Sequence, residues 1–255
     1  MIENFFIECG KRKKKEENEE LEEGKRSNKL ARNNILGKFD DISILLSRRL
    51  EPEWRRITAE NLELQYSILF KAGDAYKMFK FLEKEIEYEK ESKVQVFGKW
   101  HQVPRKQASF GDYGLKYTFS GTTVTAEPWT PFLEALRDML VNMIGVYFNF
   151  VLINRYKDGI DHMGEHKDDE KELIAKSPIA SLSFGQERQF VFRHQDSRGA
   201  KATRKIEPVK LCLQSGSILL MNHPTNSFWY HSLPIRKNCR GPRVNLTFRQ
   251  MHTRK

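Results

Sequence analysis

Between residues 148 and 248 the apolar residues of this chain come in short runs, none long enough for an ordinary helix. Seven such runs stand out, at 148–156, 179–184, 189–193, 206–213, 217–221, 230–233 and 243–248, with Gly, Pro, Asn or Asp between them. Runs of this length bounded by turn formers read as strands. Two helical patterns come earlier. Ala75, Met78, Phe79, Leu82 and Ile86 recur at helical spacing over 72–89. Thr130 is placed to cap a second helix, with Pro131 at its first position and Gly145 as its C-terminal stop. The segments 94–100 and 105–109 read as a further hairpin before that helix. Early helices followed by many strands give an α+β class. The expected architecture is a β-sandwich with helices on one face, and a jelly-roll core is its natural form.

The segment 1–50 is rich in Lys, Glu, Asn and Arg with little periodicity, and is expected to be a disordered tail. The folded domain is expected over 51–255. Within the tail, Phe5, Phe6 and Ile7 form an isolated apolar cluster, and Lys11 to Lys15 form a basic run of nuclear-localisation type. A nuclear location is therefore expected. The net charge is +10, and residues 1–50 hold 12 basic against 10 acidic groups, so most of the excess lies in the folded part. Such a surface attracts polyanions, nucleic acid first. Three cysteines, Cys9, Cys212 and Cys239, share no CxxC spacing, which argues against a disulfide framework or a cysteine zinc site. No apolar run reaches membrane-spanning length, so no membrane partner is expected. A monomer is the default.

Residues 154–169 read NRYKDGIDHMGEHKDD and contain the pair His166 and Asp168. In an extended segment, residues two apart point to the same side, so both can meet one ion. His231 in WYHSLP is the best third ligand, with His162 and His223 as competitors. Two histidines and one carboxylate on one face of an ion form the facial triad of non-haem iron(II) oxygenases, which leaves positions for a cosubstrate and O2. Twelve residues beyond His231 lies Arg243, followed at four and six positions by Thr247 and Arg249. In a strand all three share a face, and a guanidinium there can hold the distal carboxylate of 2-oxoglutarate through two parallel bonds. The blander alternative makes these arginines exposed strand charges. Asn154 and Tyr156 share a face of an earlier strand and add polar groups.

With these residues, the chain resembles the AlkB-type iron(II)- and 2-oxoglutarate-dependent dioxygenases, in particular those acting on double-stranded DNA. The resemblance is carried by VQVFGKWHQVPRKQ, LKYTFSG, FNFVLINRYKDG, HMGEHKDDE, SPIASLSFG, FVFRH, MNHPTNSFWYHSLP and PRVNLTFR, which span most of the expected fold. It implies a double-stranded β-helix core carrying a DNA-binding hairpin. It implies His166, Asp168 and His231 as iron(II) ligands, and Asn154, Tyr156, Arg243, Thr247 and Arg249 around 2-oxoglutarate. O2 is the oxidant. The implied reaction is oxidative demethylation of 1-methyladenine and 3-methylcytosine, releasing formaldehyde and succinate. Family members of this kind carry a PCNA-docking motif at their start. The matching place here reads NFFIECGKR, without a basic residue before the aromatic.

A base inside a duplex cannot reach a buried iron, so the nucleotide must be flipped out. Val96, Phe97, Gly98 and Lys99 resemble the tip of a hairpin that fills the gap. Phe97 shares a strand face with polar Gln95 and Lys99, which argues for a wedge rather than a core residue. Tyr117, Thr118, Phe119 and Ser120 resemble the pocket for the flipped base. Asp169 and Glu170 supply negative charge that favours a base made cationic by methylation. Arg105, Arg193, Arg236 and Lys237, which lie in the matching segments, are the foremost expected phosphate contacts, with Arg198, Lys201, Arg204 and Lys205 of the basic loop as further candidates. Two alternatives stand beside this reading: a related dioxygenase acting on single strands or RNA, and a DNA-binding module without activity.

Overall fold

The computed structural model describes residues 42–89, 93–96, 99–119 and 122–253, with only the backbone path for 93–96, 99–102, 119 and 201. Residues 42–47 are helical, and one compact unit runs from Leu45 to Lys255, a few residues ahead of the expected boundary at 51.

Two sheets make the fold. The larger has eight strands in the order β1 (Arg55–Ala59), β2 (Leu62–Ile68), β14 (Ser217–Asn222), β11 (Ile179–Gly185), β16 (Arg243–Arg249), β9 (Phe150–Tyr156), β5 (Lys106–Gly111) and β8 (Glu127–Pro128). The smaller has four, in the order β10 (Met163–His166), β15 (Trp229–Leu233), β12 (Arg188–His194) and β13 (Val209–Leu213). Two separate hairpins complete the set: β3 (Lys93–Val96) with β4 (Lys99–Gln102), and β6 (Lys116–Phe119) with β7 (Thr122–Thr125). All pairings are antiparallel except β5 with β8. This is the jelly-roll α+β architecture that the strand spacing suggested.

Period-two alternation decides what each face of the larger sheet carries. Val244, Leu246 and Phe248 of β16 and Ala180, Leu182 and Phe184 of β11 are buried on the side of the helices. Helix α1 (Ala72–Glu85) lays Ala75, Met78, Phe79 and Leu82 on that side. Arg155 of β9 reaches Glu83 of α1 through two bonds of 2.7 and 2.8 Å. Helix α2 (Pro131–Ile144) is capped as expected: the Thr130 side chain accepts from the Leu133 N–H at 3.3 Å, and Gly145 takes the left-handed conformation, φ 78°. On the opposite side of the sheet, Leu64, Tyr66, Leu219 and Met221 meet Phe190, Phe192, Leu211, Leu213, Trp229 and Leu233 of the smaller sheet. Full burial of a large apolar side chain contributes roughly 1.5–3 kcal/mol relative to exposure, so this double layer is the main source of stability.

Three expectations need correction. The first helix ends at Glu85 rather than 89: Ile86 is already extended, and the chain turns away so that the Glu89 N–H can donate to Gln107 O at 2.8 Å. The hairpin joins β3 to β4 within 93–102, whereas β5 belongs to the larger sheet beside β9. Residues 107–111 are buried on both faces, a demand only an inner strand meets. The strand expected over 206–213 begins at Val209.

Candidate active site

The site lies between the sheets, where the inward-facing residues of several strands turn polar. His166 ends β10 and His231 lies in β15, and the two are register partners. Asp168 follows β10 by two residues and is buried. His166 Nε2 is 3.7 Å from Asp168 Oδ1, and His231 Nε2 is 3.9 Å from Asp168 Oδ2. Among the described residues this is the one group of three ligand-type side chains whose donor atoms converge, all within 4.8 Å. His162 and His223, the competing candidates, lie outside it; His162 turns its Nδ1 to Ile160 O at 3.0 Å.

The electrostatics fit a divalent ion. Burial alone would raise the Asp168 carboxyl, but Arg249 and the two imidazoles outweigh it and hold the group down at about 2. Burial, reinforced by the charges of His166 and Arg249, pushes His231 down to about 3, so it is a neutral ligand at physiological pH. Burial lowers His166 as well. Gly164 O sits 3.0 Å from His166 Nδ1, which fixes the proton there and leaves the Nε2 lone pair for the metal. Arg249 Nη2 donates to both Asp168 oxygens at 3.1 Å. Arg249 therefore orients a metal ligand directly, in addition to the place by the cosubstrate that the sequence suggests for it.

The cosubstrate residues sit on the central strands of the larger sheet. Arg243 pairs with Tyr156 and Asn245 with Asn154, all facing the site. Arg243 is 2% exposed, yet its only described hydrogen bond runs from Nη2 to Ser183 Oγ at 3.0 Å, and its Nε is buried without a partner. A buried guanidinium with unused donors calls for an anion, and its fork matches a carboxylate. Burial moves its pKa down to about 10, so it stays charged. Asn154 Oδ1 accepts from Arg105 Nε at 2.7 Å and from Gln107 Nε2 at 3.0 Å, which leaves Nδ2 as the group offered to a ligand. Thr247 Oγ1 is 3.3 Å from Asn245 Oδ1, and Asn245 Nδ2 is tied to Ser181 Oγ and Leu182 O.

The expected DNA residues fall into different places. Phe97, Gly98 and Ser120 lie outside the described residues, and Val96, Lys99 and Phe119 are described by their backbone alone. Tyr117 is buried between the Phe150 ring, at 5.2 Å, and the Arg249 guanidinium, at 5.2 Å, with its hydroxyl pKa raised by burial. Thr118 is exposed and pairs with Thr123 at 3.0 Å. Asp169 is exposed, whereas Glu170 is half-buried with Oε2 lacking a partner. Burial and the neighbouring Asp168 raise the Glu170 carboxyl to about 7. Arg105, expected at the rim, instead points inward to Asn154 and the carbonyl of His162. Arg193 is bonded to Glu165, Arg236 to Gln189, and Lys237 is exposed.

Several contributors escaped the sequence reading. Asn245 was detectable, since it lies in the same period-two row as Arg243, Thr247 and Arg249. Ser181 and Ser183 show the same signal on β11. Gln107 and Arg188 gave none. Arg188 is 1% exposed and donates to the carbonyls of Asp158, Asp161 and Pro234 at 2.9, 3.0 and 2.9 Å.

An iron-type triad beside an arginine awaiting a carboxylate, on a jelly roll, defines a class. Residues 66–249 match the model of the 2OG-Fe(II) oxygenase superfamily, and the chain belongs to that family. Iron(II), 2-oxoglutarate and O2 are accordingly its cofactor and cosubstrates, and the site's residues fit them. The chain is 59% identical over 202 residues to mouse DNA oxidative demethylase ALKBH2, covering 78% of this chain and 84% of that one. The human ALKBH2 protein is also 59% identical over 202 residues, with 78% and 77% covered. Human alkB homolog 3 is 37% identical over 154 residues, with 60% and 53% covered. A solved structure described as OsALKBH1 superposes with a TM-score of 0.54 at 16% identity, covering 77% of this chain and all of that one, and supports the fold alone.

Proposed function

We infer that the protein is a DNA oxidative demethylase that removes N-methyl groups from 1-methyladenine and 3-methylcytosine in duplex DNA. The observation that carries the chemistry is the converging triad of His166, Asp168 and His231, the last two buried, together with the partly unused guanidinium of Arg243. The DNA substrate is supported by the similarity to proteins named for that activity and by the basic excess of the folded part.

When bound, iron(II) with 2-oxoglutarate and O2 supplies the oxidising power for the N-methyl carbon, which leaves as formaldehyde beside succinate. The protein's own residues do the rest. Arg249 keeps Asp168 anionic and aimed. Arg243, Asn154 and Tyr156 hold the cosubstrate in one orientation, which turns an encounter into a positioned reaction. The buried walls limit water. Glu170 offers an unpaired buried oxygen to a base that methylation has made cationic. Phe97 takes the place of the extruded nucleotide in the stack.

The test is formaldehyde release from a duplex oligonucleotide bearing one 1-methyladenine, with iron(II), 2-oxoglutarate and ascorbate, beside His166→Ala. Release by the parent and none by the variant is expected. Succinate formation without formaldehyde would keep the iron site and reject the substrate. Phe97→Ala is expected to impair repair of the duplex more than repair of the single strand; equal losses would reject the wedge.

A further inference from the structure

The two histidine ligands lie on the inner face of the smaller sheet. Their neighbours, one residue out of phase, build a charged cluster on its outer face. Glu165 precedes His166, Tyr230 precedes His231, and Arg193 follows Phe192, the register partner of His231. Arg193 is itself the register partner of Tyr230. Glu165 Oε1 accepts from Arg193 Nε at 2.9 Å, and Oε2 accepts from Arg198 Nε at 2.7 Å. The Arg198 guanidinium lies over the Tyr230 ring at 4.0 Å, and Lys167 Nζ approaches the same ring at 4.9 Å. Lys167 Nζ also donates to Gln195 Oε1 and Ser227 O at 2.9 and 2.6 Å.

The chemistry of this arrangement is specific. Two guanidiniums side by side repel. One carboxylate removes the repulsion and binds both cations by their Nε atoms. Among the described residues, neither arginine commits its Nη groups to a hydrogen bond. The side chains of Arg193 and Arg198 are 37% and 39% exposed, so those groups can be reached. A fork of two guanidiniums with free Nη groups matches the unesterified oxygens of a phosphodiester.

We propose that Glu165 is a positioning residue for duplex DNA: it presets Arg193 and Arg198 as a paired phosphate clamp directly behind the iron ligands. This rests on the DNA reading above. It opposes the simplest electrostatic expectation, in which an acidic group at a basic rim repels the polyanion and its neutralisation tightens binding.

Glu165→Gln keeps the size of the side chain and removes the charge that holds both guanidiniums. Binding of an undamaged duplex should weaken several-fold. Each phosphate contact contributes about −0.9 to the slope of log K against log salt, so the slope should fall in magnitude by about two. Iron loading and DNA-independent succinate formation should stay at parental levels. Activity on the mononucleotide of 1-methyladenine should also persist, so that the loss falls on KM for the duplex. Tighter or unchanged duplex binding with the parental slope overturns the proposal. Equal losses on mononucleotide and duplex overturn it as well, since Glu165 would then serve only the iron strand. Should Glu165→Gln misfold, Arg198→Gln takes its place, with an expected slope change of about one and no change as the contrary result. A parent that binds the duplex without demethylating it would reject the proposed function and leave the clamp standing. A parent with no salt-dependent duplex binding rejects the clamp.

Discussion

At the scale of single residues, the site separates groups that bind from groups that hold. Arg243 is buried with donors to spare, so its carboxylate partner should contribute the 1.5–3 kcal/mol typical of a charged hydrogen bond. Arg243→Lys is expected to weaken 2-oxoglutarate binding about 10- to 100-fold, because an ammonium cannot reproduce the fork. Titrating the iron-loaded protein with 2-oxoglutarate reads this directly. Gly159 carries a different demand. A Cβ there would sit 1.8 Å from Arg236 O, while the Gly159 backbone bonds both Arg236 and Cys239. Gly159→Ala should cost about 1–3 kcal/mol, seen as a lower urea midpoint, and should displace the turn that presents Lys237. Sequence exposed the first kind of residue better than the second. His166, Asp168, His231 and Arg243 betray themselves by type and spacing. Arg188 reads as one more charge on a strand, because its carbonyl partners come from two other loops.

Elements were legible wherever their pattern was local. The second helix carries its own start and stop, Thr130 and Gly145, and both perform as their chemistry requires. Removing the cap by Thr130→Ala is expected to lower stability by about 1 kcal/mol, measured as a shift in chemical denaturation with the slope unchanged. The two N-terminal strands lie outside the expected set, although Leu62, Leu64 and Tyr66 alternate with Glu63, Gln65 and Ser67. Strand β5 pairs differently from the expected hairpin for a deeper reason. Pairing between distant segments, such as β5 with β9, is set by burial in the assembled fold and leaves no mark on residues 106–111 alone.

For the molecule as a whole, stability should be linked to what the core of the site holds. Ligands that bind only the folded state stabilise it by about 2.7 kcal/mol at a hundredfold excess over Kd. Metal and 2-oxoglutarate together should raise the melting temperature, and His231→Ala should abolish the metal-dependent part. Acid should act in the opposite direction on the metal-free protein. His231 has its ordinary value of 6.5 in the unfolded chain and about 3 in the fold. Between these values the unfolded state takes up the proton and the folded state does not, so stability is full above 6.5 and declines as pH falls toward 3. A denaturation series over that window should show the decline, and His231→Gln should flatten it.

The alternation of the smaller sheet has a practical meaning. Along β12 and β15, odd and even positions answer to different masters: one parity to the interior of the site, the other to the outer face. Substitutions can therefore accumulate on the outer parity, retuning which polymer is gripped, without disturbing the oxidation chemistry on the inner one. An insertion of a single residue has the reverse character. It would exchange the two sets at a stroke, sending His231 outward and Tyr230 into the site. Relatives that diverge in substrate should then differ here by replacement and hardly ever by a change in strand length.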